Sequence, residues 1–172
     1  VGTRPIKHVG GRATCLGAYF TLNGDRTAMV MPLDVIVPFH RAFRNDMQII
    51  DDAAYKAAAE DGDLAPVVER LRFFSEVLKW HADGEDRLVF PAMDKVAPLV
   101  AQGYLHDHHE FDTMTEGLAK ITAASSALVA ARETAALTAV LRIHLDKEDE
   151  YLYPILRERT SLEEQSAIVG GM

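Results

Sequence analysis

Two stretches of the chain set a histidine four residues before a glutamate: "HADGE", His81 to Glu85, and "HLDKE", His144 to Glu148. Each glutamate is followed by an aspartate, Asp86 or Asp149, and each run then reaches an aromatic residue and a proline, Phe90-Pro91 and Tyr153-Pro154. The likeness extends upstream, where Phe74, Val77 and Leu78 align with Leu137, Val140 and Leu141. Residues four apart on a helix lie one above the other, so imidazole and carboxylate point the same way in both copies. Leu78 and Leu88 flank the first pair, and Leu141 and Leu152 lie near the second, which directs both pairs inward. Buried ionisable groups are costly unless they are paired or bind a metal. One such pair reads as a core ion pair, whereas two on two helices, with further inward histidines, converge on one volume.

Those further histidines are His40, with Phe43 three residues on, and His108, with Phe111 three residues on. The segment "YLHDHHEF" holds three histidines, which a helical wheel separates. With Phe111 as the core direction and about 100° per residue, Tyr104 and His108 fall within about 60° of it. His106 and His109 fall about 140–160° away, which predicts that they face solvent. The inward set is therefore His40, His81, Glu85, His108, His144 and Glu148. Imidazole with carboxylate suits iron, manganese or zinc. Carboxylates from two helices can each bridge two ions, so the set favours a dinuclear site. The single Cys15 excludes an internal disulfide, a cysteine-based zinc site and an all-cysteine iron–sulfur cluster.

The elements that must carry these residues are helical. Ile36, His40, Phe43, Met47 and Ile50 recur at helical spacing, with Asp34 expected as N-cap and Pro38 in the first turn. The spacing predicts a second helix capped by Asp63, with Pro66 in its first turn, running to Pro91. A third is expected after Pro98, running through Leu118 and Ile121 into "TAASSALVAA", and a fourth from near Glu133 to about Arg157. Ser161 and Glu164 form a capping-box pattern for a short last helix. No segment reads as a strand. The expected architecture is all-α, an antiparallel up-down-up-down four-helix bundle. It is divided as 1–32, a Gly-rich irregular N-terminal arm that holds His8 and Cys15; 33–160, the bundle; and 161–172, a short C-terminal helix and tail.

At these residues the chain resembles the hemerythrin family, and more closely its bacterial HHE cation-binding branch. The matching positions are a lone His40 on helix one, His81 and Glu85 on helix two, a lone His108 within "DHHEF", and His144 and Glu148 on helix four. The likeness covers roughly residues 33–160. It implies an antiparallel four-helix bundle around two iron ions, a non-haem di-iron centre with an oxo or hydroxo bridge, which meets O2, peroxide or NO. Two departures from the respiratory members stand out. They carry a histidine four before the helix-three ligand, where this chain has Tyr104, which either ligates iron as a phenolate or closes the pocket. They also place the helix-four carboxylate five residues after its histidine, at Asp149 here, while the internal repeat favours Glu148. Ferritin-like proteins share the bundle but use Glu-x-x-His, and no acid stands three before an inward histidine here.

The expected function is binding or sensing of O2 or a related small oxidant. The alternative is an enzyme that consumes peroxide or another reactive oxygen or nitrogen species, in the manner of a catalase, because Tyr104 in place of a histidine leaves a coordination position open. A metal-independent helical interaction domain is disfavoured by the buried ligands. A sensor would need a protein partner. The formal net charge of −8 argues against nucleic acid and against an anionic membrane surface. No apolar run approaches the ~20 residues of a membrane span, and no signal peptide is recognisable, so the cytoplasm is the expected compartment.

Overall fold

The structure, a computed structural model, describes residues 30–172. The sequence-based reading of an N-terminal arm, with His8 and Cys15, falls on residues 1–29, outside the described ones.

A short 3-10 turn, Pro32–Val35, leads into α1, Ile36–Glu60. Asp34 is not the N-cap of α1. It sits inside the 3-10 turn, where its carboxylate accepts the Met31 N–H at 2.7 Å. The proline at position 32 starts the helical path one turn earlier than Pro38 alone suggested. Along α1 the buried residues are Ile36, His40, Phe43, Met47, Ile50, Ala54 and Ala57, the period of a helix with one inward face. The helix ends where Asp61 turns left-handed at φ 52° and the Gly62 N–H returns to the Ala57 carbonyl at 2.9 Å.

The second helical path comprises α2, Ala65–Gly84, a π-helical segment, Glu85–Val89, and α3, Phe90–Val96. Asp63 stands just outside α2 and accepts the Ala65 N–H at 2.8 Å. Then come α4, Ala101–Leu118, and α5, Ala127–Lys147. A second π-helical segment, Glu148–Leu152, joins α5 to α6, Tyr153–Arg159. The last helix is α7, Leu162–Gly171, opened by the Ser161–Glu164 capping box. Among the described residues there is no strand.

Two boundaries differ from expectation. α4 stops at Leu118 instead of running through Ile121, because Thr122 and Ser125 close a hydrogen-bonded turn of small polar residues there. α5 starts at Ala127, well before Glu133, since Ala-rich "ALVAARETAA" is strongly helix-forming once Ser126 supplies an extended N-cap backbone.

The helices pack as a bundle in which α1 and α5 share the largest interface and α4 lies against α5 and α2. Two apolar clusters fill it. One holds Phe43, Met47, Leu71, Phe74, Leu78, Phe111, Leu137 and Leu141. The other holds Ile36, Val89, Phe90, Met93, Tyr104, Leu152, Tyr153 and Leu156. Each inward histidine falls on its helix between a member of one cluster and a member of the other: His40 between Ile36 and Phe43, and His108 between Tyr104 and Phe111. The polar layer is thus closed above and below by hydrocarbon. No helix among the described residues is long and apolar enough to cross a membrane.

Candidate metal centre

His40, His81, Glu85, His108, His144 and Glu148 are all buried, none more than 6% exposed. His106 and His109 lie on the exposed face of α4, as the wheel required. The imidazoles meet in two pairs through their Nε2 atoms, His40 with His81 at 3.2 Å and His108 with His144 at 3.1 Å. Each carboxylate spans the two pairs. Glu85 places Oε1 3.3 Å from His81 and 3.8 Å from His40, and Oε2 3.5 Å from His108. Glu148 places Oε1 3.1 Å from His144 and Oε2 3.6 Å from His40.

The orientation of the rings follows from a second set of acids. Asp149 accepts from His40 Nδ1 at 2.8 Å, Asp86 from His108 Nδ1 at 2.7 Å, and Asp107 from His144 Nδ1 at 3.0 Å. An ionised carboxylate only accepts, so each of these rings carries a proton on Nδ1 and turns Nε2 into the core as the atom available to a metal. The Glu-Asp dipeptide of each copy thereby does two jobs: the glutamate faces the centre, and the aspartate orients the lone histidine of another helix. Asp149 is accordingly the partner of His40, and the carboxylate facing inward from α5 is that of Glu148. Asp107 also pairs with Lys147.

The spacing, which a hydrogen bond between rings would also satisfy, fits metal coordination. Two donors each about 2.1 Å from one ion, at roughly 90–110° to each other, lie about 3.0–3.4 Å apart. The Nε2 to Nε2 separations of 3.2 and 3.1 Å match that edge. Glu148 is fully buried, yet neither of its oxygens accepts a hydrogen bond. A carboxylate left so costs several kcal/mol, which a cation would offset. Two donor groups result: Glu85, His108, His144 and Glu148 on one side, and His40, His81 and Glu85 on the other, with Glu85 common to both.

Electrostatics in the metal-free cluster are those of a mutually held network. Burial opposes charge on His40, but hydrogen bonds to Asp149 and Glu85 and the charges of Glu148 and Glu85 outweigh it and raise its pKa from 6.5 to about 9. His144 is raised by Glu148 and Asp107 against the same burial cost. Glu85, against its own desolvation, is held well below the usual carboxylate range by His81 and His40.

Two tyrosines border the layer. The Tyr104 hydroxyl donates to the Lys147 carbonyl at 3.2 Å, and its ring lies 5.8 Å from that of His144. Burial and the Glu148 and Asp107 charges push it up to about 12, so it is a neutral donor at pH 7. Tyr153 donates a short hydrogen bond to Glu85 Oε1 and stands edge-on to His40 at 5.7 Å.

Sequence reasoning missed four features here. Asp86 and Asp107 orient rings, Tyr153 holds Glu85, and both glutamates begin a π turn. In each π turn the wide bond closes on the glutamate itself, from Phe90 N–H to the Glu85 carbonyl and from Tyr153 N–H to the Glu148 carbonyl. The signal was present in Pro91 and Pro154. In an α-helix a proline ring clashes with the carbonyl four residues back, and a wide turn just before it relieves that clash.

The family model of the hemerythrin HHE cation-binding domain matches residues 31–161. Zinc finger protein BRUTUS of Arabidopsis thaliana is 31% identical over 152 residues, covering 84% of this chain and 12% of that protein. Zinc finger protein BRUTUS-like At1g74770 of the same plant is 26% identical over 170 residues, covering 91% of this chain and 14% of that protein. The chain thus spans a small fraction of the curated relatives it matches. No solved structure matches it significantly.

Proposed function

The chain belongs to the hemerythrin HHE cation-binding family, and from that premise we propose that it holds two iron ions in the bundle core and presents them to O2, peroxide or NO. The four long helical paths are read as an antiparallel up-down-up-down bundle, with residues 33–160 as the functional unit and α7 as an appendage. The proposed ligands are His40, His81, Glu85, His108, His144 and Glu148. The observation that carries the dinuclear reading is that both Glu85 and Glu148 direct separate oxygens toward the two histidine pairs.

When bound, iron supplies a redox-active, exchangeable position for a small oxidant. The chain's own contribution is positional. Asp149, Asp86 and Asp107 fix the rings and leave Nε2 free to donate. The apolar clusters on either side shield the layer from bulk water. Tyr104 is read as closing the pocket, since its hydroxyl is engaged by the Lys147 carbonyl; direct ligation would require it to leave that partner.

A second reading, consumption of peroxide, is favoured by the same residue. Tyr104 stands where respiratory relatives of the family place a further histidine, so an ion held by His108 and His144 would have one nitrogen donor fewer. Binding or sensing remains the principal reading. Because the matched relatives carry this region within much longer chains, a sensor would report to neighbouring segments. Metal analysis after expression in iron-replete medium tests the centre: two irons per chain are expected, and one zinc or none overturns it. Oxygen evolution on mixing the iron-loaded protein with peroxide separates the two functions.

A further inference from the structure

A cavity of about 430 Å3 lies between α1 and α5. Its walls are Arg41, Arg44, Asn45 and Gln48 of α1 facing Thr138 and Arg142 of α5. The first four recur at helical spacing, so they form one stripe of donors along α1, and Thr138 and Arg142, four apart, form the opposing stripe. Met47 and Leu141 supply apolar lining.

The charge pattern of this groove runs against that of the molecule. The chain carries 26 acidic residues and a net charge of −8, yet no carboxylate lines this cavity. Arg44 is held at its edge by Asp146 and Asp149, each at 2.9 Å. Arg41 and Arg142 have no acid within ion-pair distance among the described residues, although elsewhere on the surface Arg70 pairs with Asp46 and Lys79 with Asp83. Arg41 and Arg142 thus face one hollow without a counter-charge, and Asn45 adds a neutral amide that can donate hydrogen bonds, whereas Thr138 donates to the Thr134 carbonyl and Gln48 to Asp52. Such a set recognises planar or tetrahedral oxygen anions, because guanidinium presents paired N–H groups to paired oxygens.

We propose that the α1–α5 groove is a binding site for a small multivalent oxyanion, of carboxylate or phosphate chemistry, held between Arg41 and Arg142 with Asn45 as a further donor. The volume exceeds that of a single inorganic ion and suits a compact organic anion. This site is separate from the buried histidine–carboxylate layer, and its existence does not depend on what that layer binds.

The test is calorimetric titration of the whole purified protein with succinate and with inorganic phosphate, each against chloride at matched ionic strength. One saturable site is expected for at least one of the two anions, and the stronger of them identifies the chemistry. Arg41→Gln and Arg142→Gln should each weaken binding roughly tenfold. Thr138→Glu, which places a carboxylate in the groove, should abolish it. All three positions lie outside the buried layer, so melting temperature and metal content serve as controls for folding. Absence of saturable binding beyond that of chloride overturns the proposal, as does equal binding by the wild type and all three variants.

Discussion

Glu85 and Glu148 hold matching places in two copies of one pattern, yet their surroundings differ. Glu85 receives the Tyr153 hydroxyl, while Glu148 receives no hydrogen bond at all. The cause is one oxygen atom: the residue that aligns with Tyr153 in the other copy is Phe90, which lies beside His108 at 5.0 Å as Tyr153 lies beside His40 at 5.7 Å. A second difference sits one residue before each lone histidine. Asp107 binds His144 Nδ1, whereas the corresponding Phe39 stacks on the His81 ring at 6.5 Å. A third is Tyr104, whose counterpart on α1 is Ile36. The ligands repeat and the groups around them do not. If the repeated donor set holds two ions, as proposed, the unequal neighbours would make the two positions chemically distinct.

The largest effect expected is at the carboxylates. Glu85→Ala and Glu148→Ala should each remove most of the bound metal, while His106→Ala and His109→Ala on the exposed face of α4 should leave it unchanged. Metal analysis of the four purified variants checks this. Equal losses in all four would break the distinction between inward and outward histidines.

Next comes the pH dependence of the metal-free protein. His40 has its pKa raised to about 9 from 6.5. A raised folded-state value means that the stabilisation is fully present below pH 6.5 and is lost as pH rises through 9. His144, from the other half, is raised as well and acts in the same direction. Thermal melting between pH 6.5 and 9 should therefore show the metal-free protein weakening. The metal-loaded protein should lack this loss, because the Nε2 atoms are then committed to the ions. Parallel curves would show that the histidines do not face the metal.

A smaller effect is expected at Tyr153. Tyr153→Phe removes a hydrogen bond to a charged group and should destabilise the metal-free protein by about 2 kcal/mol. The double exchange Tyr153→Phe with Phe90→Tyr moves the donor to the Glu148 side and should recover part of that loss. Chemical denaturation of both variants measures it. No recovery would mean that the two halves are less alike in geometry than the ring separations indicate.

The smallest change is at Tyr104. Tyr104→Phe removes a neutral hydrogen bond to the Lys147 carbonyl, with an expected cost of about 1 kcal/mol, and should leave the visible spectrum of the iron-loaded protein as it was. Loss of a charge-transfer band in that variant would instead make Tyr104 a ligand.

Much of this arrangement was legible in the sequence. The inward histidines and both glutamates were placed by helical phase alone, because ligands at a spacing of four need only one regular helix each. The ring-orienting acids were not, since Asp149 reaches His40 and Asp86 reaches His108 across helices, and such partnerships depend on packing. The end of α4 and the start of α5 were misjudged for a similar reason: "TAASSALVAA" is small and partly helix-forming throughout, and the break is set by side-chain hydrogen bonds of Thr122 and Ser125. The clearest unread signal was the proline in each copy: Pro91 was taken as the end of a helix and Pro154 was passed over inside one, whereas each follows a widened turn through which the helical path continues.

That widened turn also constrains how the chain can change length. A π turn is an α-helix with one residue inserted, and here both insertions begin at an inward glutamate and finish just before an aromatic-proline pair. Straightening the turn after Glu85 into a regular α-helix with no residue removed would rotate everything downstream by about 100°. Val89, Phe90 and Met93, all buried, would swing toward water while His81 and Glu85 upstream stayed in phase. The inward His-x-x-x-Glu half and the apolar anchor half of each path are thus held in phase by one residue more than a plain helix needs, and a plain α-helix keeps both halves facing the core only if one residue between them is lost.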